Sequence, residues 1–414
     1  SARFDPRRPL VGAQMLMVAF GALVLVPLLT GLDPNVALFT AGAGTLLFQL
    51  VTARKVPVFL ASSFAFIAPI MVATERLGVS ATLCGLASAG LLYVALAGLI
   101  AWRGVAFLHR LLPPLVTGPV IMVIGLALSP VAVNMAIGKS GDGALVLVER
   151  GHALALAGCS LLATLVVILL GRGVLKLVPI LVGVLAGFVL ALFLGEVDFG
   201  AVRSAAWIAW PKFQTPTWSW EAIVYILPVA IAPCIEHFGD VVAIGSVTGK
   251  DYLRDPGVHR TMLGDGLATS LASVLGGPPN TTYSEVTGAV ALTRVFDPRV
   301  MTWTAGFAIA LAFVGKVGAL LQSIPTPVMG GIMMLLFGSI TVVGLNTLVR
   351  AGQDLAEPRS LVIVSLVLVS GIGGLVVEAG GVALGGIGLA GLVGVGLNLC
   401  LPRPRKDESS STEV

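Results

Sequence analysis

Residues 276–288 read GGPPNTTYSEVTG, and residues 56–69 read VPVFLASSFAFIAP. Each stretch opens with proline or small residues, runs through Ser, Thr and aromatics suited to extended backbone, and only then turns helix-forming. Both sit in strongly apolar surroundings. Of the 414 residues, 57% are hydrophobic and only 11% charged, too little polar surface for an exterior facing water on every side. Lipid is therefore part of this chain's solvent. Extended backbone inside a membrane is tolerated only where protein buries it or it lines a cavity. Two such stretches, half a chain apart, predict two interrupted spans that together build a site.

Outward from these stretches, apolar runs of about 17–25 residues are long enough to cross a bilayer as helices. Fourteen fall near 10–29, 35–53, 58–74, 79–101, 111–136, 153–171, 177–195, 221–247, 261–276, 279–293, 301–322, 325–348, 360–376 and 380–401. The quoted stretches open spans three and ten. With this count 19 of the 25 basic residues lie at the termini and even-numbered loops and 5 in the odd-numbered loops, with Lys316 inside span eleven. Such a bias predicts that both termini are cytoplasmic. The same placement reads the net charge of +4 as membrane orientation rather than nucleic-acid binding. The polar, basic start at residues 1–9 lacks the pattern of a cleavable signal peptide. Trp207, Trp210, Trp218 and Trp220 between spans seven and eight predict an amphipathic stretch at the outer interface. Cys84, Cys159, Cys234 and Cys400 lack metal-site spacing and are read as packing residues.

The chain also repeats itself. Pro114, Gly118 and Gly125 match Pro327, Gly331 and Gly338 at a constant offset of 213, and Phe20, Gly21 and Val24 match Phe238, Gly239 and Val242 at 218. Seven spans per copy is an odd number, so the second copy enters the membrane inverted. Inverted repeats of this kind build secondary transporters with a site near the midplane.

Ionisable groups at membrane depth are costly and point to function. Span eight carries Glu236, His237 and Asp240. Glu236 and Asp240 are four residues apart and share a helix face, an arrangement suited to holding one proton between them. His237 reads as a structural histidine and Lys316 as a snorkelling or paired lysine. Glu285 falls in the first turn of the half-helix after the extended segment, where an ordinary dipole-stabilised acid is the alternative reading. Half-helix N–H groups donate hydrogen bonds and the carboxylates accept them. A flat ring with N–H donors and carbonyl acceptors, such as uracil, complements that set; an anion does not. No nucleophile–base arrangement, metal-ligand spacing or phosphate-binding loop points to an enzyme.

FGALVLVPLLTGLDP (20–34), KVPVFLASSFAFIAP (55–69), EHFGD (236–240), KDYLRDPGVHRTM (250–262), PPNTTYSE (278–285) and IPTPVMGGIMMLLFG (324–338) give the chain a resemblance to the nucleobase–ascorbate transporter (nucleobase–cation symporter) family. The likeness covers nearly the whole chain and is nearest to the family's bacterial uracil-permease branch. It implies an all-α polytopic fold of two inverted seven-span repeats. A core domain would comprise residues 1–104 and 221–322 (spans 1–4 and 8–11), and a gate domain 105–195 and 323–401 (spans 5–7 and 12–14). The interfacial linker would be 196–220 and the cytoplasmic tail 402–414. The resemblance implies import of a nucleobase, uracil first, by proton symport in a homodimer of a bacterial cytoplasmic membrane, with no organic cofactor, metal or nucleic-acid partner. Glu236 and Glu285 match the substrate-binding acids. Phe64 and Ser284 match positions whose backbone N–H groups approach the base, and Ala22, Tyr283 and Phe337 match ring contacts. Glu236, Asp240 and Glu285 are the proton-coupling candidates. The sequence departs from the family's pattern at Met15, Ser284, Val286 and Phe337, while Asp265 resembles the purine-transporting branch. Purine or xanthine transport, anion transport on the same architecture, and a membrane protein without turnover remain the alternatives.

Overall fold

The computed structural model describes residues 7–104, 112–379 and 382–402. Arg3, Arg110, Arg403, Arg405, Lys406 and the tail beyond residue 402 lie outside the described residues. The first half runs α1 (Arg7–Thr30), α2 (Pro34–Val51), β1 (Leu60–Ser62), α3 (Ile67–Leu77), α4 (Val79–Arg103), α5 (Pro114–Ala136), α6 (Arg150–Leu170) and α7 (Pro179–Leu194). The second runs α8 (Trp220–Thr248), α9 (Val258–Val274), β2 (Asn280–Thr282), α10 (Ser284–Thr293), α11 (Arg299–Ala312), α12 (Gly315–Gln322), α13 (Thr326–Arg350), α14 (Pro358–Ile372), β3 (Val376–Ala379), β4 (Val382–Gly385) and α15 (Gly386–Cys400).

Among the described residues seven helices are long and apolar enough to cross a membrane, and four shorter ones are apolar as well. The chain is an all-helical multi-span membrane protein. The helices that fail the apolar test fail for a reason. In α9, Thr261, Asp265, Thr269 and Ser273 are all fully buried by neighbouring protein, so this helix is solvated by the fold rather than by lipid. Helix ends are fixed by side chains the sequence supplies. Asp33 accepts from the amides of Asn35 and Val36 at the start of α2, and Ser219 accepts from Ala222 at the start of α8. Glu357 caps α14, and the Ser360 hydroxyl together with two backbone amides holds its carboxyl below the usual range.

The helices pack in a pattern with two-fold character. Helix α5 meets α13, α2 meets α9, and β1 pairs with β2. The remaining contacts come in couples that exchange one half for the other: α4·α9 with α2·α11, α6·α7 with α14·α15, α6·α13 with α5·α14, and α7·α13 with α5·α15. Helices α5 and α13 run antiparallel. Gly118 faces Gly344 and Leu348, Gly125 faces the Phe337 carbonyl, and Gly330 faces Met135 and Ala136. A Cβ on Gly125 would stand 2.3 Å from that carbonyl oxygen, so only glycine allows this approach. The matched glycines of the repeat are not equivalent in contact, however. Gly331 packs on α6 at Ala157, and Gly338 has open space where a Cβ would go.

Two expectations change. The run 301–322 is two helices rather than one span. Val314 takes an extended backbone between α11 and α12, because the linker claims it. Ile208 bridges Val314, the Ala209 amide donates to the Phe313 carbonyl at 2.9 Å, and the Gly315 amide donates to the Trp207 carbonyl at 3.2 Å. Lys316 consequently lies outside the span. Its ammonium donates to the Val202 carbonyl at 2.7 Å and sits 5.4 Å from the Trp207 ring centre, not beside an acid. The tryptophan linker itself is mainly an extended strap that ties to α4 through Thr217 and Ser80, and to the end of α9 through Gln214 and Leu275. Its four indoles remain exposed.

Candidate functional site

The site begins with backbone that has nowhere else to go. Strand β1 pairs antiparallel with β2, setting Leu60 opposite Thr282, Ala61 opposite Thr281 and Ser62 opposite Asn280. The Ser63 amide extends the ladder to the Pro279 carbonyl at 2.9 Å. A two-stranded ladder leaves outer edges unpaired, and within a membrane each must find a partner. Side chains from flanking helices supply them. Thr45 of α2 accepts from the Leu60 amide at 2.9 Å. Thr269 of α9 donates to the Asn280 carbonyl, and the Asn280 side chain donates to the Thr40 carbonyl at 2.8 Å. The outer edges thus gain partners from hydroxyls that would otherwise be out of place in apolar helices, while the Ser62 and Ser63 hydroxyls stay buried without one.

A half-helix leaves each strand. After β1 comes a tight 3₁₀ turn at Phe64–Phe66 and then α3; after β2 comes α10, starting at Ser284. First-turn N–H groups have no partner within their own helix. Ser63 and Tyr283 stand at the capping positions, and neither side chain makes the capping bond. The Val286 and Thr287 amides turn back to the Tyr283 carbonyl at 3.1 and 3.3 Å, so the positive end of α10 is presented at Ser284 and Glu285.

Helix α8 carries the acids to this place. Asp240 is buried and accepts from the Thr282 hydroxyl at 2.8 Å and from the Ser284 hydroxyl. Glu236 is one turn away on the same face, half-buried, and feels the charges of Asp240, Glu285 and Asp265. Glu285 lies in the first turn of α10, and both it and Ser284 are exposed.

Of the other expected residues, Tyr283 and Ala22 share one buried cluster built from α1, α2, α8, α10 and α11. The Tyr283 hydroxyl lies beside Gly21, 3.6 Å from where a Cβ would be, and has no hydrogen-bond partner. The Phe64 ring is 6.3 Å from the Tyr283 ring, and Phe64 packs against both large apolar clusters. Phe337 belongs to the second cluster, with α5 and α13. Asp240, Ser284 and Tyr283 thus meet at the strand crossing, while Phe337 on α13 lies in a cluster that also takes in α1, α3, α4 and α8.

Sequence reading missed the polar layer behind the site. His237 is not satisfied by backbone. Its Nδ1 lies 3.3 Å from an Asp265 carboxylate oxygen, both residues fully buried, without the alignment of a hydrogen bond. The Thr281 hydroxyl donates to the same Asp265 oxygen at 3.4 Å, and the Tyr93 hydroxyl is buried nearby without a partner. The signal was present in Asp265, an acid in the interior of a predicted span. Among the described residues no group of three or more His, Cys, Asp or Glu side chains is arranged to hold a metal.

Comparison with known proteins gives a consistent picture. Residues 8–380 match the model of a permease family that takes its name from xanthine and uracil. A probable uracil permease of Haemophilus influenzae is 54% identical over 401 residues, covering 97% of this chain and 96% of its own. A probable uracil permease of Pasteurella multocida is 55% identical, covering 96% and 94%. Among solved structures, murine Solute Carrier 26 family member A9, an anion transporter in the inward-facing state, aligns with a TM-score of 0.72 at 11% identity. That alignment covers 96% of this chain and 68% of the murine one; at such identity it speaks for the fold alone.

Proposed function

Because the chain belongs to the xanthine/uracil permease family, a family of transporters and not enzymes, we propose that it imports uracil across a bacterial cytoplasmic membrane by proton symport. The observation that carries the reading is the strand crossing itself. Two half-helices start there without side-chain caps, and Asp240 of α8 is tied to β2 and to the start of α10, with Glu236 one turn away and Glu285 in the first turn of α10. In this reading Glu236 and Glu285 accept the ring N–H groups of the base, and the amides at Phe64 and Ser284 donate to its carbonyls. Tyr283, Ala22 and, from α13, Phe337 bound the ring. Asp240 exchanges the coupling proton with Glu236 while Thr282 and Ser284 hold it in place.

The finer architecture belongs to the same proposal. Fourteen spans form two inverted repeats of seven, supported by the exchange-related helix contacts and by the antiparallel pairing of β1 with β2 and α5 with α13. A core domain, 1–104 with 221–322, carries the strand crossing, and a gate domain, 105–195 with 323–401, moves against it in a dimer whose chain termini face the cytoplasm. Asp265 gives the purine reading little support, since it is fully buried with His237 and Thr281 against it. The anion reading is opposed by the carboxylates.

Uracil binding in detergent tests the assignment. A hydrogen bond to a charged group contributes about 1.5–3 kcal/mol, so Glu236→Gln and Glu285→Gln should each weaken uracil affinity by roughly ten- to hundredfold. Xanthine in excess should leave the uracil signal in place. Unchanged affinity in both variants sinks the site; uptake driven by a sodium gradient and indifferent to a pH gradient sinks the proton coupling.

A further inference from the structure

A cavity of about 220 Å³ lies apart from the acids, lined by Ala68 and Arg76 of α3, Ala127 of α5, Tyr225 of α8, Val376 of β3 and Gly388 of α15. Its walls come from two bodies. Helices α3 and α8 carry the strand crossing and the acids, whereas α5, the β3–β4 hairpin and α15 lie opposite. The floor is Ala68, one helical turn beyond Phe64. Arg76 stands eight residues further along α3, roughly 12 Å away at helical rise. The cavity therefore leads along α3 from an exposed arginine to the turn that holds Phe64.

We propose that this cavity is a second binding site for the base, an entry vestibule that holds uracil on the outer side before the two bodies rearrange. The inference rests on the transport reading and deepens it. A volume of about 220 Å³ is enough to admit a nucleobase. The guanidinium of Arg76 forms no ion pair among the described residues, so its donors are free to meet the ring carbonyls, and Tyr225 provides an aromatic wall. Gly388 lines the cavity opposite α8, and a Cβ there would make ordinary contact with Pro228 and Val229 at 3.6 Å. Arg76 is also one of the few basic residues outside the predicted cytoplasmic loops, where membrane orientation gives it no purpose. Because the walls belong to different bodies, the site forms and empties as they move.

Labelled-uracil uptake into proteoliposomes, set beside equilibrium binding in detergent, tests the vestibule. Arg76→Ala and the filling variant Gly388→Leu should each raise the KM for uptake about fivefold and remove a second, weaker class of bound uracil in detergent while the tight class keeps its affinity; Arg76→Lys should recover part of the loss. If Gly388→Leu does not fold, the Arg76 pair decides alone. An unchanged KM overturns the proposal, as does a parallel loss of detergent affinity, which would mean that the variants disturb the central site. A KM that holds while Gly388→Leu abolishes stabilisation by added phospholipid marks a lipid-tail pocket, and overturns it too. A parent protein that binds no uracil, or a Glu285→Gln variant that binds normally, defeats the central reading instead.

Discussion

Asp240 accepts from two hydroxyls, one on β2 and one at the start of α10. A buried carboxylate held this way is fixed in direction as well as in solvation. Thr282→Val removes one donor and leaves an acceptor short inside the fold, at about 1–3 kcal/mol. The expected result is a loss of uracil transport of roughly tenfold, with Thr282→Ser close to the parent because its hydroxyl reaches the same oxygen. Equal activity in Val and Ser variants would show that the hydroxyl does not matter. The string EHFGD by itself marks Asp240 as a membrane-depth acid, since its spacing from Glu236 is helical. The partner hydroxyls were not legible, because 42 and 44 residues separate them from Asp240 and only the strand crossing brings them together.

Elements in this protein approach one another through glycine. At Gly125 a methyl group would meet a carbonyl oxygen at 2.3 Å, whereas at Gly338, its sequence counterpart in the repeat, nothing lies within 4 Å. Gly125→Ala should therefore lower the melting temperature by several degrees and Gly338→Ala should leave it unchanged or raise it slightly, since alanine is the better helix former. Thermal melts in one detergent compare the two, and equal shifts would break the packing argument. The motif pair Pro-Gly-Gly is read from its sequence spacing as a sign of duplication. Which glycine sits in a contact depends on the face each helix turns to its neighbour, and the two copies turn different faces. The break between α11 and α12 was equally hidden, since its cause is the strap residues 207–209, about a hundred positions away.

Among the described residues, Phe64 and Val317 each pack against both large apolar clusters. Alternating access requires the strand-bearing body and the body built on α5, α13 and α15 to move apart on one side and together on the other. Val72 and Val376 line the same outer cavity from the two bodies. Cysteines at both positions, in a chain whose exposed Cys400 is replaced by serine, should stop uptake when bridged by a short bifunctional thiol reagent. Bridging should leave uracil binding in detergent in place. Full transport after verified cross-linking would rule out relative motion at this face.

Composition, hydrophobic run length, charge bias and two proline-opened polar stretches were enough to determine a multi-span helical membrane protein with interrupted spans and acids at depth. These are local or additive properties, and the bilayer imposes them residue by residue. Tertiary structure alone decided the partners: which hydroxyls hold Asp240, that His237 faces Asp265, that Lys316 meets a carbonyl and an indole, and that a cavity lies between α3 and the β3–β4 hairpin. Each joins residues far apart in the chain, and such a meeting is fixed by how helices pack, not by what any one of them contains.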